Sequence, residues 1–382
     1  MTAHSPLAPS SAHRWVPCPG SVQLEAQYPE TEEGESAAEG TAAHFAGSEE
    51  LQGRDVREGQ VADNGVVMTE EMLEGAALWV EDVLSVHTGG ELQVEQRVAM
   101  PRIHDAAFGT PDTWFYDQTN GHLYVWDFKF GYGVVEAFEN WQLMAYTCGI
   151  LDLLGIDGRN DQHLWVHLRV VQPRAHHRDG RVREWKVLAS DLRGYFNRLH
   201  DAAHEAMGPR PHTLSGPHCL HCKAAHACPT LKRATWSAAD YLGGHVAEDL
   251  SADAAAYELV LLEHITELVK ARKRAREADV EARLRRGEAV ADWTLETTRG
   301  RTTWTAEGAG EVIMLGDILG MDLRKPETPI TPTQASKVAK KLGVDAGVIF
   351  AYSHTPTTGQ KLVRDENLLT RARIEFGQKL ES

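Results

Sequence analysis

Residues 109–146 read GTPDTWFYDQTNGHLYVWDFKFGYGVVEAFENWQLMAY, and their pattern sets the architecture. The stretch reads as strand, turn, strand, loop, helix. TWFYD and HLYVWDFKF are rich in aromatic and β-branched residues, and they flank the turn signal Gln118-Thr119-Asn120-Gly121. Asp112 lies just before the first strand. Asp127 and Lys129 lie late in the second, two residues apart, so their side chains leave the same face of the sheet. Two carboxylates and an amine on adjacent strands are costly to bury without a task. They suit the holding of a hard divalent cation beside a water and a phosphate. The helix that follows, from about Glu136 to Leu154, carries Gln142 and Tyr146 at i and i+4 on one face. Cys148 in its apolar part reads as a core residue.

Upstream, residues 36–51 are Ala-rich and helix-like and contain His44. Residues 68–86 give a second, amphipathic helix whose apolar face reads as core. Residues 91–99 (ELQVEQRVA) alternate as a strand that carries Glu95 and leads into the acidic strands. Downstream, residues 162–172 and 182–188 read as two strands joined by a hairpin turn at 175–180. The paired His176 and His177 fit a solvated turn. Residues 190–207 form a helix with Leu192, Tyr195, Phe196, Leu199 and Ala203 at core spacing.

Residues 218–229 (HCLHCKAAHACP) hold Cys219, Cys222 and Cys228 in C-x2-C-x5-C spacing. Three clustered cysteines point to a metal centre more than to disulfides, and thiolates select zinc or iron–sulfur chemistry. Three ligands leave a four-coordinate site one short. Cys18, in the Pro-flanked turn WVPCPG, and His218, His221 and His226 are the candidates for the fourth.

The 382 residues suffice for two domains or one with additions, and 42% hydrophobic with 25% charged residues is an ordinary soluble composition. A net charge of −16 weighs against a protein that coats nucleic acid non-specifically. Five cysteines are too few for a disulfide scaffold. No apolar run approaches the roughly 20 residues of a membrane span. The N-terminus lacks a basic start followed by an apolar core, so a cytoplasmic protein with no membrane partner is expected.

Residues 252–286 read as one long helix, apolar in its first half and basic in its second, from Lys270 to Arg286. The basic half fits a solvated face or a nucleic-acid contact. Short strands are expected around Trp293 and Trp304, and helices near 331–342 and 364–378. A Pro/Thr-rich stretch at 325–332 divides that tail. No Gly-rich phosphate loop is present to suggest ATP use. The expected organisation is a main domain over 1–235, a helical, partly basic segment over 236–290, and a small α+β extension over 291–382.

His44 in EGTAAH, Glu95, Gly109-Thr110-Pro111-Asp112, Asp127-Phe128-Lys129 and Gln142-x3-Tyr146 stand in an order that resembles the RecB-like nucleases of the PD-(D/E)xK superfamily. Asp112 matches their lone metal-binding aspartate, Asp127-x-Lys129 their paired acid and lysine, and Gln142 with Tyr146 their QxxxY helix. Asp127 stands where many members have Glu. One cysteine before this core and three after it resemble the iron–sulfur nucleases of the AddB type and the CRISPR-associated exonucleases. The whole chain also resembles a phage-encoded family of unknown function built on the same core.

The resemblance covers about residues 11–230. It implies an α/β, restriction-endonuclease-like core, a mixed central sheet flanked by helices, with iron–sulfur-clasped termini and an α+β C-terminal extension. By it, Cys18, Cys219, Cys222 and Cys228 hold a [4Fe-4S] cluster, with Zn²⁺ as the alternative. His44, Asp112, Asp127 and the Phe128 carbonyl hold Mg²⁺ or Mn²⁺, assisted by Glu95. Lys129, with a lowered pKa, orients or deprotonates the attacking water, and Gln142 and Tyr146 line the site. The implied activity is a deoxyribonuclease, an exonuclease on single-stranded DNA or DNA ends, working in phage recombination, replication or repair in the cytoplasm of a bacterial host. The basic helix suggests DNA handling, and the extension suggests a protein partner or homo-oligomer contact. The competing readings are a non-catalytic DNA-binding recombination accessory protein and a structural zinc protein.

Overall fold

A computed structural model describes residues 5–28, 34–242 and 250–295. The chain divides into two units, 1–296 and 297–382, and every described residue belongs to the first. The expectations for Trp304, for helices near 331–342 and 364–378 and for the stretch 325–332 lie outside the described residues.

The first unit is a mixed α/β structure. Two short helices and then two long ones precede the sheet: α1 (Ala12–Trp15), α2 (Gly20–Glu25), α3 (Glu35–Leu51) and α4 (Glu70–Val86). Strands β1 (Gln93–Val94), β2 (Val98–Ala99), β3 (Phe108–Gly109), β4 (Thr113–Asp117) and β5 (His122–Phe128) follow. After α5 (Trp141–Leu153) come β6 (Trp165–Val171), β7 (Val182–Leu188) and α6 (Arg193–Met207). Then come α7 (Pro229–Leu242) and α8 (Ala252–Arg285). The central sheet runs β1-β4-β5-β6-β7, and β2 with β3 forms a separate two-stranded ladder. Only β5 and β6 are parallel, and α5 is the crossover between them. The other neighbours in the sheet are antiparallel.

Helices cover both faces. Leu123, Val125, Val166, Leu168 and Val170 pack with α5 and α6 in one core. Phe115, Trp126, Phe128 and Val171 pack with α3 and α4 in a second. β5 is therefore buried on both sides, which explains its near-continuous apolar reading. Thr69 caps α4 by accepting from Met72 N, with Glu70 and Glu71 in the first turn where the helix dipole favours acids.

Two expected elements differ. The strand expected over 91–99 is broken at Glu95, whose φ of 51° turns the chain out of the ladder. Its two halves join different sheets: β1 pairs with β4 and β2 with β3. The break is held by Glu95 N donating to Asp112 O at 3.0 Å. The helix expected from Glu136 begins at Trp141, because Asn140 accepts from Gln142 N and Leu143 N and caps it there. Residues 129–140 are instead a loop whose backbone is claimed by Gln172 and Arg183. Trp293 lies in turn and irregular structure, not in a strand.

The long helix α8 forms over the expected span, but only Ile265, Leu268 and Ala271 are buried. Its basic half is largely paired within the helix: Lys270 with Glu267 at 2.8 Å, Arg276 with Asp279 at 3.1 Å, and Arg285 with Glu281 at 2.7 Å. Among the described residues no helix is long and apolar enough to cross a membrane.

Candidate functional site

Antiparallel pairing of β4 and β5 sets the start of one strand against the end of the other, with Thr113 opposite Trp126. Asp112 and Asp127 therefore meet at one end of the sheet. Helix α3 brings His44 from one face, and α5 brings Gln142 and Tyr146 from the other. The break at Glu95 turns that residue toward the same point.

The contacts form one chain. Glu95 Oε1 is 3.0 Å from His44 Nδ1, and Asp112 Oδ1 is 2.9 Å from His44 Nε2. Asp112 Oδ2 accepts from Phe128 N at 2.6 Å. Asp127 Oδ1 accepts from Lys129 Nζ at 2.9 Å and from Gln142 Nε2 at 2.8 Å. Lys129 Nζ also donates to Gln142 Oε1 at 3.2 Å. The Tyr146 hydroxyl is hydrogen-bonded to Gln142. Gly109 makes room for that tyrosine: a Cβ there would lie 2.9 Å from Tyr146 Cε1 and 2.8 Å from Pro9 Cδ.

The electrostatics separate the two aspartates. Burial pushes both carboxyls up. For Asp112 the His44 charge and hydrogen bond, Lys129 and the Phe128 amide outweigh it, and the pKa is lowered. For Asp127 burial and the neighbouring Asp112 win over Lys129, and the pKa rises to about 6. Buried acids whose environments drive them apart in this way are a mark of chemical sites. Burial disfavours charge on His44, but Asp112 and Glu95 raise its pKa to about 10. The Lys129 pKa is raised: burial opposes the charge and is overcome by Asp127 and Asp112. A lowered lysine pKa was expected, and Asp127 and Asp112 reverse it. Burial, with both aspartates nearby, pushes the Tyr146 hydroxyl well up, so it stays neutral.

Asp127 Oδ2 is buried and has no hydrogen-bond partner. An unpaired buried carboxylate oxygen costs several kcal/mol in order of magnitude, and a hard cation is the partner that best satisfies one. With Asp112 and His44 adjacent, the donor set fits Mg²⁺ or Mn²⁺. Among the described residues no three His, Cys, Asp or Glu side chains already converge on one ligating point. Here His44 bridges Asp112 and Glu95 instead.

Two supports of the site had no signal as functional residues. Trp79 of α4 is fully buried, stacks on Phe128 with ring centroids 5.2 Å apart, and lies 5.3 Å from the His44 ring. Gly47 on α3 permits this, since a Cβ there would collide with Trp79. The amphipathic pattern of residues 68–86 marked Trp79 as core, and that burial is what fixes His44.

The second cluster lies where the N-terminal segment meets residues 212–231. Gly20 N donates to His212 O at 2.8 Å, and Gln23 Nε2 donates to Ala206 O at 2.9 Å. Leu214 N donates to Cys18 Sγ at 3.3 Å, Gly216 N to Cys219 Sγ at 3.5 Å, and Leu231 N to Cys228 Sγ at 3.5 Å. Ala224 N does the same for Cys222. All four thiols are free, and each accepts a backbone N–H. Such N–H···S bonds are the contacts that tune thiolate ligands of metal centres. Burial, with neighbouring Cys charge adding to it, raises the Cys18 and Cys219 pKa values, and burial pushes Cys222 up to about 12. Four protonatable sulfurs, two buried and two half-buried, would gain from a cation that deprotonates them.

Of the four candidates for the remaining ligand, the structure brings Cys18 among the other sulfurs. His218 Nε2 is instead 2.8 Å from Leu214 O, and His226 Nδ1 is 3.1 Å from Lys223 O. Cys148 is sealed in the main core, where burial raises its pKa to about 12. Helix α8 closes over the cysteine segment: Arg272 Nη1 donates to Ala225 O at 2.9 Å and to His226 O at 2.8 Å.

The fold and site define a mixed α/β protein whose central sheet ends in a buried acid–lysine–amide cluster, with a cysteine clasp joining its N-terminal segment to the region after α6. Residues 4–364 match the family described as "Protein of unknown function (DUF2800)". That match spans nearly the whole chain, and the chain belongs to this family.

Proposed function

We propose that the protein is a metal-dependent DNA nuclease with a RecB-like, restriction-endonuclease-like core, hydrolysing phosphodiester bonds in single-stranded DNA or at DNA ends. The observation that carries this reading is the pair Asp112 and Asp127. They are buried together and driven apart in pKa; His44 and Phe128 N hold Asp112, Lys129 and Gln142 hold Asp127, and one oxygen of Asp127 is left unpartnered. Buried carboxylate oxygens in a structural role are in the large majority hydrogen-bonded.

Asp112, Asp127, His44 and the Phe128 carbonyl would hold Mg²⁺ or Mn²⁺, with Glu95 assisting. When bound, the ion would lower the pKa of its water and offset charge building on the phosphate. Lys129, held charged beside Asp127, would orient the attacking water. Gln142 bridges Asp127 and Lys129 and so fixes their mutual geometry. Tyr146, neutral and buried behind Gln142, fixes the amide in turn.

Cys18, Cys219, Cys222 and Cys228 would hold a [4Fe-4S] cluster. The four N–H···S contacts support a thiolate centre. Anaerobically purified protein is expected to be brown, with broad absorbance at roughly 400 nm. A colourless protein carrying one zinc would replace the cluster with zinc.

The activity test uses the purified full chain with Mg²⁺ or Mn²⁺ and end-labelled single- and double-stranded DNA. Wild type is expected to degrade the single strand. Asp112→Ala and Lys129→Ala are expected to lose about 10²–10⁴-fold or more in rate, measured well below the melting temperature of each variant. Equal activity in these variants would sink the assignment.

A further inference from the structure

We infer that Tyr132 is a stacking platform for an unpaired nucleobase, held ready beside the cleavage centre by a buried Gln172–Arg183 pair. The inference deepens the nuclease reading and rests on it for the identity of the substrate.

Tyr132 follows Lys129 by three residues, so it lies within roughly 11 Å of it. The intervening loop is held unusually firmly. Gln172 is 1% exposed, and its Nε2 donates to Gly131 O at 2.8 Å and to Gly133 O at 2.7 Å. Its Oε1 accepts from Val135 N at 3.1 Å and from Arg183 Nη2 at 2.5 Å. Arg183 is 4% exposed and donates through Nε and Nη2 to Val135 O. A buried amide and guanidinium are costly unless their groups are used, and once satisfied they make a segment rigid. Here they fix the backbone on both sides of Tyr132.

That rigid loop presents an aromatic ring to solvent. Tyr132 is 69% exposed. A Cβ at Gly131 or Gly133 would meet nothing within 4 Å, and neither glycine has a positive φ. Neither local crowding nor backbone conformation therefore demands glycine at these positions. The backbone on either side of Tyr132 is therefore open at the surface. The Arg174 guanidinium lies 5.1 Å from the ring centroid. Arg174 is itself fixed by Glu39 at 2.7 Å and Glu71 at 2.9 Å, so it anchors the tyrosine. Val134 and Phe138, both exposed, extend the apolar surface along the same loop.

A nucleobase suits this surface. Base–aromatic stacking contributes about 1–3 kcal/mol per base, tolerates any sequence, and needs the base to be unpaired. Tyr132 would thus select single strands over duplex at the point where the backbone enters the centre.

The test is fluorescence anisotropy on the full chain without added divalent cation. The probes are a labelled oligothymidine and an abasic strand of equal length. Tyr132→Ala is expected to weaken oligothymidine binding by roughly 5- to 150-fold, with Tyr132→Phe close to wild type and the abasic strand unaffected. Gln172→Leu is expected to follow Tyr132→Ala, again sparing the abasic strand; general misfolding would weaken both probes. Unchanged oligothymidine affinity in Tyr132→Ala overturns the platform, as does an equal loss for both probes or no binding by wild type. A surface that serves a protein partner would give the first of these outcomes. Cleavage is assayed separately. Tyr132-dependent binding without Mg²⁺- or Mn²⁺-dependent cleavage by wild type sinks the nuclease reading alone; cleavage with Tyr132-independent binding sinks the platform alone.

Discussion

The acidic centre and the cysteine clasp are built in opposite ways. The centre sits on strands buried on both faces, and its residues are tied into two large apolar cores. The clasp is asymmetric. Cys18 rides on a segment anchored in the main core by Leu7 and Trp15. Cys219, Cys222 and Cys228 belong to a small separate core with Leu231, Leu268 and Ala271. The centre takes its geometry from the sheet and the two cores packed on it. The clasp has little apolar burial of its own, so on the proposed reading its order would come from a metal centre joining the four sulfurs.

The sharpest way to break this contrast is to remove that joint. A structural metal site contributes on the order of 10 kcal/mol to the folding of the segment it holds. Cys219→Ser, or exhaustive chelation, is expected to raise amide hydrogen exchange across residues 214–242 and along α8, which packs on the cysteine segment. Strands β4 to β6 are expected to keep their protection. Exchange that stays slow in the clasp would mean that the small core suffices and no metal is needed there. Exchange that rises throughout would mean that the two regions are not separate.

A smaller effect tests the other half of the contrast, that the centre draws its geometry from the core. Trp79→Ala removes a fully buried ring that touches His44 and Phe128. A cost of about 3–5 kcal/mol is expected, read by denaturant unfolding. Cleavage measured well below the new melting temperature is expected to fall as well, because His44 loses its backing. Destabilisation without any loss of cleavage would detach the centre from the core beneath it.

The two regions also differed in how much could be read from the chain. Asp112, Asp127, Lys129, Gln142 and Tyr146 lie close in sequence, on elements whose periods of two and 3.6 place them on shared faces. Their meeting follows from local pattern alone. Cys219, Cys222 and Cys228 were likewise visible through their spacing, whereas Cys18 depends on a chain return that spacing cannot show. What stayed hidden was set by distant partners. Asn140 caps α5 at its late start, and the loop before it is held by Gln172 and Arg183, more than thirty residues downstream. The pairing within the basic half of α8 was open to inspection as i,i+3 and i,i+4 spacing, but its anchoring by Arg272 to Ala225 O was not.

The break at Glu95 is the clearest case of tertiary structure overriding pattern, and it supplies the smallest and most specific measurement. Residues 91–99 alternate as one strand, yet Glu95 adopts φ 51°, a conformation that costs a side-chain-bearing residue about 1–2 kcal/mol. Its amide bond to Asp112 O and its carboxylate on His44 Nδ1 offset that cost. Glu95→Ala and Glu95→Gly remove the same carboxylate, but only glycine accepts the backbone without strain. Glu95→Gly is therefore expected to be more stable than Glu95→Ala by about 1 kcal/mol in denaturant unfolding, although alanine usually stabilises a strand relative to glycine. Both are expected to show the same loss of cleavage, since both leave His44 paired with Asp112 alone. If alanine were the more stable of the two, residues 91–99 would form the continuous strand that their sequence suggests. Glu95 would then point along that strand rather than toward His44.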